Sequence, residues 1–185
     1  ETETEGTSFW FAIPFANHYT GEASRGTLTG NYFELWVTAK LSTNVRLYDS
    51  HQNLIKTYQV VGGKYLGIPI PADKMHNQSE AVEKDKAMYV ESDEPISLIV
   101  YVAYYNTGEA YRVIPAQWLG TDYYTLNLYN DYLLFLGEGS TPRTTPNQFL
   151  VVATEDNTNV DIYPNTETMK HVKAGNKKSI TLNKG

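Results

Sequence analysis

The chain has 185 residues, a net charge of −6 and no cysteine, which excludes disulfide scaffolds, thiol chemistry and zinc sites built on cysteine. Hydrophobic residues make up 41% and charged residues 19% of the sequence, as in a globular domain rather than a disordered one. Its Lys and Arg residues are scattered, whereas a nucleic-acid groove needs clustered cations, and no apolar run approaches the ~20 residues of a membrane helix. We therefore expect no nucleic-acid partner and no membrane span.

Alternation of apolar and polar residues dominates the chain and predicts an all-β fold. The high content of aromatic residues, with 15 Tyr, 3 Trp and 6 Phe, favours the same class, because such side chains suit pleated, half-buried surfaces. A first strand is predicted over residues 7–13. In the next, Phe33, Leu35 and Val37 share one face, and residues 44–48 alternate again.

Glycine pairs and turn residues divide the middle of the chain. Residues 55–61 and 65–70 flank the pair Gly62 and Gly63, which predicts a hairpin because glycine tolerates positive φ. Residues 72–86 are polar and predict a solvated loop, with one short helical turn as the alternative.

The most apolar run of the chain lies further on. Residues 88–92 predict a strand, the Asp-Glu-Pro sequence at 93–95 predicts a turn, and residues 96–105 predict a central strand that is buried on both faces. Residues 109–114 predict the strand that follows.

The second part of the chain repeats segments of the first in the same order and at nearly one offset. The matches are residues 6–10 with 120–124, 35–38 with 150–153, 43–48 with 158–163, and 63–70 with 175–182. A fixed internal period indicates a duplicated structural unit. We therefore predict two related antiparallel β-sandwich-like units, a first unit of residues 6–119 and a second unit of residues 120–185. The second unit has no counterpart of residues 71–119, so we expect it to be incomplete and to take its missing strands from elsewhere.

Catalytic and metal-binding patterns do not emerge from the sequence. The histidines His18, His51, His76 and His171 are far apart and lie in polar segments, without the spacing of a metal cluster. The sequence contains no nucleophile motif of the G-x-S-x-G type and no glycine-rich phosphate loop that leads into a helix. We expect no enzymatic activity, no cofactor and no bound metal.

Four aromatic residues are candidates for ligand binding. Tyr104 and Tyr105 precede a predicted turn, Tyr111 follows it, and Trp118 lies just beyond. Aromatic faces stack on the apolar surfaces of ligands such as sugars. Packing in the core or across strands is the alternative, because Tyr and Trp are common strand residues.

A set of short motifs resembles the N-terminal domain of IgGFc-binding proteins. The motifs are GTSFWFAIP at residues 6–14, YVESDEPIS at 89–97, VIP at 113–115, LGTDYY at 119–124 and FLVVATEDNT at 149–158. They span nearly the whole chain, and their order and spacing make the set more specific than any single motif.

The resemblance implies a secreted, non-enzymatic β domain. Animal members are mucus components named for binding the Fc part of antibodies, and bacterial relatives are commonly parts of large surface proteins. The lack of cysteine favours the bacterial version, and the family supplies no catalytic or ligand residues to carry over. We therefore expect an extracellular or cell-surface adhesion or protein-binding module, a fragment of a larger secreted protein. A structural subunit of an extracellular assembly and a carbohydrate-binding module are the alternatives.

Overall fold

The computed structural model describes residues 4–14, 32–74, 76, 81–104, 107–126, 148–168 and 170–185. Over these residues the fold is all-β and antiparallel, which confirms the predicted class, and helix is confined to two 3₁₀ turns at Ala72–Lys74 and Ala116–Trp118. The strands are β1 (Gly6–Phe11), β2 (Tyr32–Ala39), β3 (Thr43–Tyr48), β4 (Leu54–Val60), β5 (Tyr65–Ile70), β6 (Met88–Tyr104), β7 (Thr107–Arg112), β8 (Thr158–Ile162) and β9 (Lys178–Leu182). Strands β1 to β7 form one sheet, and β8 and β9 form a separate pair.

Strands β2 to β5 form one long hairpin that bends in the middle. β3 pairs with β4 and β2 pairs with β5, and the register continues unchanged through the bend. At the bend, the amide of Gly63 donates to the carbonyl of Ala39 over 2.8 Å, and Gly63 takes a φ of 70° that glycine adopts without strain. The prediction of a hairpin at residues 62–63 is wrong, because the two strands that flank them pair with different partners rather than with each other.

The long strand β6 organises the sheet by pairing with four other strands. Ile96 pairs with both Ala39 of β2 and Gly6 of β1, which therefore lie on opposite edges of β6. Tyr89 pairs in the same way with β3 on one edge and with β1 on the other. Consequently β2 and β3 follow one edge of β6, whereas β1 and β7 follow the other.

Residues 93–95 form a bulge within β6 rather than the predicted turn. The register of β6 against β2 is offset from its register against β3, so extra residues are accommodated at this point. The amide of Glu94 donates to Thr43 Oγ1 over 2.9 Å, and Ser92 Oγ donates to the carbonyl of Glu94 over 2.7 Å. Pro95 fits there because a bulge does not require its missing N–H. These side chains satisfy the backbone, so β6 continues where the sequence indicates a break.

One face of the sheet, the inner face, carries the hydrophobic core, and the sheet curls around it. Phe33, Leu35 and Val37 point to this face together, as predicted, and are at most 3% exposed. In β6 the alternate residues such as Leu98 are buried, whereas Ile99 on the outer face is half-buried. β6 is therefore central, as predicted, but only its inner face is fully buried, because no second layer covers the outer face over the described residues.

The second unit contains one small two-stranded sheet over its described residues. β8 and β3 occupy matching segments, but residues 120–124 and 150–153, the counterparts of β1 and part of β2, are not strands. In addition, β9 matches β5 in sequence, yet it pairs with β8 while β5 pairs with β2. The structure therefore does not confirm the duplication in detail. No helix in the described part of the chain is long and apolar enough to cross a membrane.

Candidate functional site

Of the four aromatic residues named from the sequence, Tyr111 and Trp118 have side chains within the described part of the structure. Tyr105 and the side chain of Tyr104 are outside the described part of the structure. Tyr111 lies in β7 and Trp118 ends the second 3₁₀ turn, where its side chain is half exposed. A ligand site formed by these four residues therefore stays a prediction.

Tyr111 has a structural role in addition to any binding role. Its hydroxyl donates to the carbonyl of Ala12, the residue that follows β1. Burial raises the pKa of this hydroxyl, and the hydrogen bond to Ala12 opposes that effect only in part. Because Tyr111 lies in β7 and Ala12 directly follows β1, the hydrogen bond connects the two strands that share one edge of β6.

The outer face of the sheet carries two aromatic clusters that the sequence analysis did not identify. In the first, the rings of Trp36 and Tyr101 stack with their centroids 4.5 Å apart, and Tyr65 approaches Trp36 edge-on. In the second, Tyr89 lies 5.1 Å from Trp10 and also contacts the ring of Tyr48. The signal in the sequence was their alternation with core residues, since each Trp stands between two inward apolar residues.

Carboxylates anchor these rings. Glu34 Oε2 accepts hydrogen bonds from Trp36 Nε1 at 2.8 Å and from the Tyr65 hydroxyl at 3.4 Å. Desolvation and the nearby carboxylate of Glu34 raise the pKa of Tyr65. Glu91 similarly accepts from the hydroxyl of Tyr48 at 3.1 Å. The outer face therefore combines aromatic surface with fixed negative charge.

A network of charged side chains ties β3 to the bulge of β6. Arg46 Nη2 donates to Asp93 Oδ1 over 2.7 Å, and its Nε lies 3.5 Å from Glu91 Oε2. Asn44 Nδ2 adds a bond to Asp93 Oδ2 at 2.9 Å. The hydrogen bonds from Arg46 and Asn44 lower the pKa of Asp93. This arrangement connects β3 to the bulge of β6.

The described histidines each lie near one carboxylate. His51 Nε2 lies 2.9 Å from Asp85, and His171 Nδ1 lies 2.9 Å from Glu167. His76 lies 3.6 Å from Glu83. Within the described ranges, no group of three or more His, Asp or Glu side chains is placed to hold a metal ion.

Exposed apolar side chains are concentrated in the last part of the chain. Tyr124 is 99% and Leu126 is 97% exposed. Other large apolar residues with substantial exposure there are Trp118, Leu119, Tyr123, Phe149, Val151 and Tyr163. Contiguous exposed apolar surface marks sites of interaction with other proteins.

The same part of the chain matches a known family. Residues 109–185 match the model of a family described as IgGFc binding protein. The match includes most of β7 and all of β8 and β9, whereas the motifs at residues 6–14 and 89–97 lie outside it. Neither the curated proteins nor the solved structures gave a match to this chain. The similarity therefore covers the part of the chain that has the most exposed apolar residues among those that the structure describes.

Proposed function

We propose that this chain is a non-enzymatic protein-binding module of an extracellular or cell-surface protein, with a role in adhesion. The observation that carries the proposal is the coincidence of the family match with the exposed apolar residues of the same segment. The lack of cysteine supports the bacterial surface-protein version of this family. A strand-completing partner for the second unit belongs to the same proposal.

A carbohydrate-binding module is the second candidate, and the outer face of the sheet favours it. Trp36, Tyr65 and Tyr101 form an aromatic cluster beside the carboxylate of Glu34. Aromatic rings stack on the apolar faces of sugars, and carboxylates accept their hydroxyl protons. A structural subunit of an extracellular assembly is a third candidate, supported by the β8–β9 pair, to which no further strand is added among the described residues.

Surface plasmon resonance with the purified chain tests protein binding. The immobilised probes are purified extracellular proteins, beginning with the antibody Fc fragment because of the family description, and a glycan array is screened in parallel. We expect a protein probe to bind, and Leu126→Ser to weaken that binding about tenfold, as loss of a central apolar contact does.

Leu41→Ser is the matched control, because Leu41 is 62% exposed but lies in the bend of the first unit. It should leave binding unchanged. Equal weakening by both substitutions would show that the second unit is not the contact surface. Glycan binding without protein binding, abolished by Trp36→Ala, would instead favour the carbohydrate-binding module.

A further inference from the structure

In the first unit, strand β3 lies between two neighbours. β4 pairs with one edge of β3, and the first part of β6 pairs with the other. Leu47 faces the core beside its β6 partner Val90, and both are at most 1% exposed. On the outer face, Arg46 lies opposite Glu91 and donates to Asp93. β6 therefore gives β3 a second paired edge, an apolar neighbour and two carboxylates.

Strand β8 repeats β3 in sequence and in local structure. Residues 158–163 read Thr-Asn-Val-Asp-Ile-Tyr, where residues 43–48 read Thr-Asn-Val-Arg-Leu-Tyr. Each strand pairs antiparallel with the strand that follows it, and Val160 lies opposite Ile180 as Val45 lies opposite Tyr58. β9 is thus an antiparallel neighbour of β8, as β4 is of β3.

No strand occupies the corresponding place of β6 beside β8 over the described residues. Among the described residues, β8 pairs with β9 alone. Val160 and Ile162 are only half-buried, whereas their counterparts in β3 are fully buried. A strand with an open edge and an incompletely covered apolar face readily accepts another strand.

The outer face of β8 carries the opposite charge to that of β3. Asp161 stands where β3 has Arg46. Ser179 Oγ donates to its carboxylate over 2.6 Å, and Lys177 Nζ lies 3.2 Å away, both from the side of β9. These bonds lower the pKa of Asp161, so it is anionic at neutral pH, and its side chain is still 46% exposed. A strand on the open edge would complement Asp161 with a basic residue at the position that Glu91 has in β6.

We propose that the open edge of β8 binds an extended segment of another protein as an added antiparallel strand. This segment carries apolar side chains at alternate positions, facing Val160 and Ile162, and a Lys or Arg opposite Asp161. The inference rests on the proposed protein-binding function and specifies how the partner is recognised. Backbone hydrogen bonds supply affinity, and the facing side chains supply selectivity.

A tethered strand tests this recognition in the full chain. In two fusion proteins, a Gly/Ser linker of about twelve residues follows Gly185 and leads to an added copy of residues 87–95. The reach of this linker, roughly 20 Å, is enough to span β8. One copy is unchanged and the other carries E91K and D93K. The tether holds the strand at an effective concentration on the order of 1 mM. We expect amide hydrogen exchange in Thr158–Ile162 to slow with the basic copy, about fivefold more than with the acidic copy.

Charge substitutions in β8 itself give the decisive control. D161R gives β8 the arginine that β3 has at this position, so the acidic copy should then protect β8 more than the basic copy. D161N should make the protection by the two copies equal. Exchange in β3 should stay unchanged, which shows that the copy has not displaced the chain's own β6. Equal protection by both copies, or no protection of β8, would overturn the inference. Protection in the unfused chain that rises with its concentration would assign the edge to a second copy and would overturn it too.

The outcomes separate this inference from the proposed function. If neither copy protects β8 while the chain still binds a protein probe through Leu126, strand addition fails and protein binding stands. If the basic copy protects β8 but no protein probe binds, the edge of β8 can accept an added strand, but the proposed protein-binding function lacks support.

Discussion

The ammonium group of Lys184 lies over the indole ring of Trp10, 5.4 Å from its centroid. The next residue, Gly185, donates its amide to the carbonyl of Ala153 over 3.0 Å and lies against Ser50. The contacts of Lys184 with Trp10 and of Gly185 with Ser50 attach the second unit to the first beside the tip of the β3–β4 hairpin. The attachment gives the second unit a fixed support, although over its described residues its own sheet has two strands.

Gly185→Ala is expected to loosen this attachment. Gly185 has a φ of 73°, and a Cβ there would lie 2.7 Å from the Cβ of Ser50. Strain and overlap together should reduce the free energy of unfolding by about 1–3 kcal/mol, measured by urea titration. Gly120→Ala is the matched control, because a Cβ at Gly120 meets nothing within 4 Å. Equal urea midpoints for the two variants would contradict the attachment.

Thr43→Val should destabilise the bulge of β6. Thr43 is 6% exposed, and its Oγ1 accepts the amide hydrogen of Glu94. Valine has the same shape but leaves that amide without its acceptor, which costs about 1–3 kcal/mol. Thermal unfolding measures the loss, and Thr57→Val on the exposed face of β4 serves as control. A variant as stable as the control would show that solvent satisfies Glu94 instead.

Leu98→Ala and Ile99→Ala compare the two faces of β6 at adjacent positions. Leu98 is 0% exposed in the core, whereas Ile99 lies half-buried on the outer face. We expect Leu98→Ala to cost about 2–5 kcal/mol through the cavity it leaves, and Ile99→Ala to cost clearly less. Chemical denaturation of both variants checks this order. Similar costs would restore the interpretation of a strand that is buried on both faces.

Tyr111 should make the fold sensitive to alkali. Burial raises the pKa of its hydroxyl above the usual value near 10, so the folded state favours the protonated form. The stabilisation from Tyr111 is therefore complete below the unfolded pKa and is lost as the pH rises toward the folded pKa. Stability measured between about pH 9 and pH 12 should fall less steeply for Tyr111→Phe than for the unchanged chain. Equal slopes of stability against pH for Tyr111→Phe and for the unchanged chain would exclude this role of Tyr111.

Local patterns predicted most strands, and pairing between distant segments determined the rest. Phe33, Leu35 and Val37 alternate within one strand, so their common face follows from the sequence alone. The glycines at residues 62–63 are equally compatible with a hairpin and with a bend. What selects the bend is the pairing of the flanking strands with β2 and β3, which a local pattern does not contain.

The same limit applies to the bulge and to the aromatic clusters. Asp93 and Pro95 are turn residues by composition. Contacts with residues far away in the chain, from Thr43 to the amide of Glu94 and from Arg46 to Asp93, hold the bulge within a continuous β6. Trp36 and Tyr101 are common strand residues in the sequence, and their stacking depends on the register of β2 against β6. Of the candidate site, the sequence named Tyr111 and Trp118 as candidates for ligand binding, which stays a prediction, and it did not identify the outer-face clusters.

The position of β6 in the chain has a consequence for synthesis. β1, β2 and β3 are made first. β2 also pairs with β5 and β3 with β4, but all three strands pair with β6, and β1 must wait for a segment about 80 residues later. Such distant pairing slows folding because the loop must close before the contacts form. On the ribosome, strands β1 to β5 therefore emerge without β6, and the seven-stranded sheet closes only after β6 and β7 have left the exit tunnel.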